Sequence, residues 1–564
     1  MAKTEVNYFE VAKIDSIADM INQALEKVPE KDVYRYAGNN GETVNVTYGD
    51  FIRRVYALGA FLESLGYDTG HIACIGPNSV DWITAYFAVL RSAGVFTPID
   101  KELPEKDILN LISESDSSVL FCSEKYEQKL ANSLPDTVKY VICFEREEDE
   151  GNHLSFRKAI EKGASLDPSA YLNKEHDIHG LKMIVFTSGT TGVAKGVMLS
   201  EKNLISDVYG GLQLASIPDV GLSVLPYHHT YEAVSGLLLS FHNHSTLCIN
   251  ESPLTVVRNF AKYKPSYILV VPAYADMFYN RIMRSLKKEG KEKDFQRLIS
   301  KSNAARKVKM DMRKELFAQV REIFGGNLEK IICGGAAVRP TVAKFFEDIG
   351  IDFICGYGIT ECSPLVSVNH DGMNDYTTAG IQLPCLDLRI SQPDDEGVGE
   401  VCVRGDTVML GYYKRPDLTE EVMKRGWFYT GDYGFINEDG YLVICGRKKN
   451  VIVLSNGKNI YPEEIEGYIQ DIDYVNEVIV SGETDDEGND SSLTAEVFLS
   501  EVKTAPEVLR NIRNACRELP VYKQISRVII RDKEFDKTTT NKIKRFIGKK
   551  KTAADEDSAE AEDK

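Results

Sequence analysis

Six short apolar runs rich in β-branched residues recur through the first 350 residues, with stretches of helical periodicity between them: IACIGP (72–77), SVLFC (118–122), YVICF (140–144), MIVFTS (183–188), YILVVP (267–272) and KIICGG (330–335). Continuous apolar runs suit strands buried on both faces, and both faces are covered when helices cross over between parallel strands. The expectation is an α/β architecture. Single hydrophobic cores stop growing near about 250 to 300 residues, so a chain of 564 residues needs two or more.

From about Gly380 the pattern changes to short strands with Gly and Asp turns, as in LRISQPDDEGVGEVCVRG and GFINEDGYLVICG, which predicts an antiparallel sheet or barrel. A second change comes at CGRKKN (445–450), where consecutive cations sit between two strand-like segments. The expected organisation is a large domain over 1–446, a hinge at 447–450, a small α+β domain over 451–548 and a disordered tail over 549–564, which has no large apolar residue. Strands are expected at 450–454, 477–481, 493–499 and 527–531, with helices near 462–471 and 506–518.

The formal net charge of −18 argues against a general nucleic-acid binder, which needs a basic face to neutralise phosphates. The most apolar window, Val234 to Ile249, is broken by His242, Asn243 and His244, so no membrane span is expected. The N-terminus lacks a basic start followed by an apolar core, so no secretory signal is expected either. Eleven scattered cysteines without a CxxC pair fit buried thiols in a reducing cytoplasm better than a disulfide frame or a zinc site.

One stretch stands apart from this background. IVFTSGTTGVAKGVMLS (184–200) passes from an apolar strand into a loop of glycine, threonine and serine with one lysine. Glycines there let successive backbone N–H groups converge on an anion, and the hydroxyls of Ser188, Thr190 and Thr191 and the charge of Lys195 add to them. This is a phosphate cradle, but not a Walker A loop, because the GxxxxGK[ST] spacing is missing. Read without context, it is equally a hydrophilic connection between strand and helix.

The string TSGTTGVAKGVMLS resembles the phosphate-binding signature of the adenylate-forming superfamily of acyl-CoA synthetases, peptide-synthetase adenylation domains and beetle luciferases. The resemblance implies a large domain of two α/β sheets and a small β-barrel, followed by a small mobile α+β domain. It also implies a role for each motif. Thr187, Ser188, Gly189, Thr190, Thr191, Gly192 and Lys195 would hold phosphates. GGAAVRP (334–340), with Gly335 and Ala336, would line the adenine and acyl pockets. In GYGITE (356–361), Tyr357 and Gly358 would meet adenine, Thr360 the α-phosphate, and Glu361 with Thr187 a magnesium ion.

The same resemblance gives Asp432 to the ribose hydroxyls, Arg447 to ribose and phosphate, Lys449 to the hinge and Gly457 to a pantetheine tunnel. In DKTTTNKIKR (536–545) it makes Lys542 the lysine bridging carboxylate and α-phosphate, although Asp536 and Asn541 replace the usual proline and glycine. LPYHHTYEAVSG (225–236) resembles the family's LPxxH motif, placing His229, beside His228, at the mouth of the acyl pocket.

Taken together, the motifs look most like those of long-chain fatty acyl-CoA synthetases, using ATP, Mg²⁺ and CoA in the cytoplasm. Peripheral membrane contact is compatible with such a lipid substrate. An acyl carrier protein as thiol acceptor, an aromatic or medium-chain acid, and an inactive binding protein on the same fold are alternatives that share every motif.

Overall fold

The computed structural model describes residues 6–38, 40–188, 194–455, 458–484, 490–537 and 543–545. It divides into two compact units, Met1–Lys448 and Lys449–Lys564.

All six apolar runs form strands of the first unit, and their burial explains their composition. In the sheet containing His71–Ile75, Val119–Cys122 and Tyr140–Cys143, neighbouring strands pair in parallel. Ile72, Cys74, Val119 and Phe121 join one core cluster, while Ala73, Ile75, Leu120 and Cys122 join another. Successive side chains point to opposite faces of a strand, so a sheet with two covered faces needs an apolar residue at every position. The sheet has eight strands; Leu181–Ser188 pairs in parallel with Val95–Pro98 on one side. On its other side it pairs with Ala194–Ser200 in an antiparallel hairpin. The glycine-rich stretch therefore joins two strands, not a strand and a helix.

A second sheet of nine strands has a parallel centre that includes Tyr267–Val270, Lys330–Cys333 and Asp352–Gly358, with antiparallel strands at both edges. A third, five-stranded and antiparallel, contains Leu386–Ser391, Gly399–Gly405, Trp427–Ile436 and Leu442–Arg447.

The second unit holds the helices Pro462–Gln470 and Ala505–Ala515 and a three-stranded sheet of Val475–Thr484, Asp490–Leu499 and Ile525–Arg531. It has its own core, built on Ile465, Val478, Ala495 and Ile512. All eleven cysteines are free thiols, nine of them buried. No helix among the described residues is long and apolar enough to cross a membrane.

Candidate active site

Tyr357 and the GGAA segment lie at neighbouring strand ends. Cys333 and Cys355 are paired in register on adjacent parallel strands, and each strand then runs straight on, into Gly334-Gly335 or into Gly356-Tyr357-Gly358. Crevices beyond the carboxyl ends of parallel strands are the usual ligand sites of such sheets. Gly335 has φ +84°, the left-handed region glycine favours. A Cβ on Gly334 would stand 3.3 Å from the Tyr231 ring. Tyr231 also donates to the Ile332 carbonyl at 3.0 Å, so the segment two residues beyond His229 packs against the GGAA segment. Gly335 and Ala336 are themselves exposed.

Asp432 owes its position to strand periodicity. Along Trp427–Ile436 every second residue is buried, and Asp432 falls on the buried side. A buried carboxylate must be paired and hydrogen-bonded to be tolerated. Here Tyr357 donates to Oδ2 at 2.6 Å, and Arg447, its cross-strand partner, approaches Oδ1 at 2.9 Å. The Asp432 backbone N–H donates to Thr430 Oγ1 at 3.1 Å. Burial, and then the adjacent Asp432 charge, push the Tyr357 phenol well above its usual range, so it remains a donor.

Glu361 is held by a second set of contacts. Tyr412 donates to its Oε1 at 2.8 Å, and the Lys195 ammonium sits 5.0 Å from the centre of the Tyr412 ring. Lys195 is paired across the hairpin with Thr187. Residues 407–410 lace these parts together. Met409 N–H donates to the Glu361 carbonyl at 2.9 Å and Leu410 N–H to the Met198 carbonyl at 2.9 Å. Ser363 Oγ donates to the Thr407 carbonyl at 2.8 Å. Behind them, buried Asp207 accepts from Leu365 N–H at 2.7 Å. Asn203 donates to the carbonyls of Asp406 and Val408 at 2.8 and 3.0 Å while it caps the helix Glu201–Leu214.

One cavity is lined by Glu361 and Tyr412 together with Glu400, Thr430, Gly431 and Lys448. Among the described residues no cluster of three or more His, Cys, Asp or Glu side chains forms a metal cage. Glu361, with one oxygen engaged by a phenol, nevertheless suits Mg²⁺, which is commonly bound through one or two carboxylates plus substrate phosphates. Glu361, with Thr187 on the hairpin, therefore fits such an ion.

His229 precedes the π-helical segment Tyr231–Leu238. Its ring lies 4.1 Å from that of His228, whose Nε2 is 3.5 Å from Asp100 Oδ2. Burial drops the His228 pKa to about 3. The next turn holds Glu232, 1% exposed and accepting from Ser223 Oγ. Its carboxyl is pushed up to about 8 by burial.

Tyr412, Thr430 and Glu232 are not singled out by sequence reasoning. The motif pattern could have drawn attention to Glu232, which lies within LPYHHTYEAVSG, and to Thr430, two residues before Asp432, but nothing marks Tyr412. Gly358 ends the strand Asp352–Gly358, and Thr360 opens the short turn Thr360–Cys362 that carries Glu361. Ser188 is described in its backbone alone; Gly189, Thr190, Thr191, Gly192, Gly457 and Lys542 lie outside the described residues, as does the whole tail 549–564. Lys449 is the first residue of the second unit.

A family model described as AMP-binding enzyme matches residues 21–413, well over half of the chain. Another, AMP-binding enzyme C-terminal domain, matches 449–555. A long-chain-fatty-acid–CoA ligase of Escherichia coli O157:H7 is 27% identical over 96% of this chain and 95% of its own. Long chain acyl-CoA synthetase 4 of Arabidopsis thaliana is 28% identical over 83% of this chain and 76% of its own. Among solved structures, an anthranilate CoA ligase in complex with anthranoyl-AMP matches with TM-score 0.76 at 18% identity, covering 96% of each chain. A Mycobacterium tuberculosis fatty acyl CoA synthetase matches with TM-score 0.65 at 22% identity, covering 94% of this chain and 96% of that one. At those identities the structural likeness is one of fold.

Proposed function

The chain belongs to the AMP-binding enzyme family, and from that premise we propose that it is an AMP-forming acid:CoA ligase whose acid is a long-chain fatty acid. The observation that carries the nucleotide half is the Tyr357–Asp432–Arg447 set, in which a tyrosine ring, a buried carboxylate and a guanidinium converge at 2.6 and 2.9 Å. A carboxylate only accepts and each of its oxygens has two lone pairs, which suits Asp432 to the two donors of a ribose diol. The long-chain preference is supported by the names of relatives that align over most of this chain.

In the first half-reaction the fatty carboxylate attacks the α-phosphorus of ATP, and the bond to pyrophosphate breaks. In the second, the CoA thiol attacks the acyl carbon and AMP leaves. Phosphoryl and nucleotidyl transfers are catalysed mainly by positioning and charge neutralisation. Tyr357 offers a flat face to adenine and Asp432 fixes the ribose. Lys195, with the loop residues 188–192, receives the departing pyrophosphate. Lys542 neutralises charge between the carboxylate and the α-phosphate, and His229 stands at the acyl entrance. Glu361 and Thr187 would hold Mg²⁺, which would supply further charge neutralisation at the phosphates.

A pyrophosphate-release screen over saturated acids from acetate to stearate and over aryl acids, with CoA and acyl carrier protein as alternative acceptors, tests this reading. We expect the largest kcat/KM for long saturated chains with CoA. Preference for an aryl acid would overturn the substrate assignment, and absence of release with every acid would overturn the activity.

A further inference from the structure

Residues 281–314 contain thirteen Lys or Arg against four Asp or Glu, a surplus of nine positive charges in a chain of net −18. They cover the end of the helix Pro272–Lys288, the helix Glu292–Lys307 and the connection that follows. The apolar faces of both helices point inward through Phe278, Ile282, Phe295 and Ile299, all buried. The basic residues are left outside, and twelve of the thirteen are exposed. Among the described residues no ion pair holds Lys301, Lys307 or Lys309.

The connection at 308–312 places apolar side chains in the middle of this charge. Val308, Met310 and Met312 are 69%, 56% and 41% exposed. Their backbone is nonetheless fixed. Lys309 adopts φ +63°, and the N–H groups of Lys309 and Met310 donate to the carbonyls of Arg306 and Ala305 at 2.9 and 3.0 Å. This is a Schellman cap, in which an apolar residue at the Met310 position ordinarily folds back on the helix. Here it stands in solvent. The single acid of the connection, Asp311, is neutralised by Arg313 at 2.7 Å, which also draws its pKa down to about 2.

We propose that this face docks on an anionic lipid bilayer, the basic residues meeting the headgroups and Val308, Met310 and Met312 entering the boundary with the acyl chains. Exposed apolar groups rimmed by unpaired cations match that boundary, and each basic residue near an anionic membrane adds to the attraction. A nucleic acid would use the cations but not the methionines. The surface stands on charge and exposure and requires no particular substrate for the enzyme.

The test is co-sedimentation of the full chain with phosphatidylcholine vesicles that contain or lack about one third phosphatidylglycerol, at low and at raised ionic strength. Binding is expected to need the anionic lipid and to weaken with salt. Lys301→Gln, Lys307→Gln and Lys309→Gln together should lower partitioning roughly a hundredfold. Met310→Ser with Met312→Ser should weaken binding while leaving its salt dependence in place. These positions are exposed, and an unchanged thermal midpoint reports intact folding. Equal binding to neutral vesicles, or undiminished binding by both variants, would overturn the proposal. So would binding of a DNA or RNA duplex with no vesicle binding.

Discussion

The hydroxyl of Tyr357, on the nine-stranded sheet, donates to Oδ2 of Asp432, on the five-stranded sheet, at 2.6 Å. One hydrogen bond thus sets the distance between the ring proposed to face adenine and the carboxylate proposed to face ribose.

Tyr357→Phe keeps the ring and removes the bond. The net loss of one hydrogen bond is about 1 kcal/mol, so the KM for ATP should rise roughly fivefold with kcat little changed. Asp432→Ala removes the acceptor altogether and should cost roughly a hundredfold in kcat/KM. Steady-state pyrophosphate release separates the two, and equal effects would break the division between positioning and binding.

Tyr412→Phe leaves Glu361 without its phenol donor. Hydrogen bonds to charged groups contribute about 1.5 to 3 kcal/mol. The Mg²⁺ concentration for half-maximal rate should shift by roughly tenfold, read directly in a magnesium titration. An unmoved midpoint would dissociate Glu361 from the ion.

Lys542→Ala should slow adenylation by at least about a hundredfold, the scale of losing one preorganised electrostatic group. Thioester formation from supplied acyl-AMP should persist. Equal loss in both half-reactions, followed by rapid quench, would refute that assignment.

Gly358→Ala tests packing. An added Cβ would lie 2.4 Å from the Pro364 carbonyl oxygen, a backbone atom with little freedom to yield. Overpacking of this kind typically costs about 1 to 3 kcal/mol, to be measured as a lowered urea midpoint. Gly467→Ala, in the helix Pro462–Gln470 with nothing within 4 Å, should instead stabilise the second unit slightly.

Glu232 predicts a pH dependence. Its folded pKa of about 8 exceeds the ordinary 4.5 because burial disfavours the charge. Between those values the unfolded chain has released the proton and the folded chain has kept it, so stability falls as pH rises across the window and levels off above it. Glu232→Gln should flatten that slope. Denaturation midpoints between pH 5 and 8 that fall equally for both proteins would locate the effect elsewhere.

The strands were legible because burial on two faces demands runs without polar interruptions, and Ile72 to Ile75 show why no position could be spared. Asp432 and Glu361 drew attention through the motifs that carry the family resemblance, and the structure shows the first buried and paired and the second bonded to Tyr412. The hairpin at Leu181–Ser188 and Ala194–Ser200 was not, since a glycine-rich turn allows a following strand as readily as a helix; only pairing with Gly411–Tyr412 on the far side completes it. Tyr412 escaped for a related reason. It meets Glu361 across 51 residues, and no local pattern records a contact made by tertiary folding. The basic surplus of 281–314 was not singled out in the sequence, and its outward methionines emerge only once the helix cap is drawn.

Residues 407–410 bond to Glu361 and Ser363 on one edge and to Met198 on the other. For anyone who wishes to permute, split or graft this chain, they form a seam that sets the phase of both edges at once. One inserted residue there would advance Tyr412 by about 3.3 Å and turn its ring to the opposite face, away from both Glu361 and Lys195. Surface loops in general tolerate lengthening well; this one keeps time for the site.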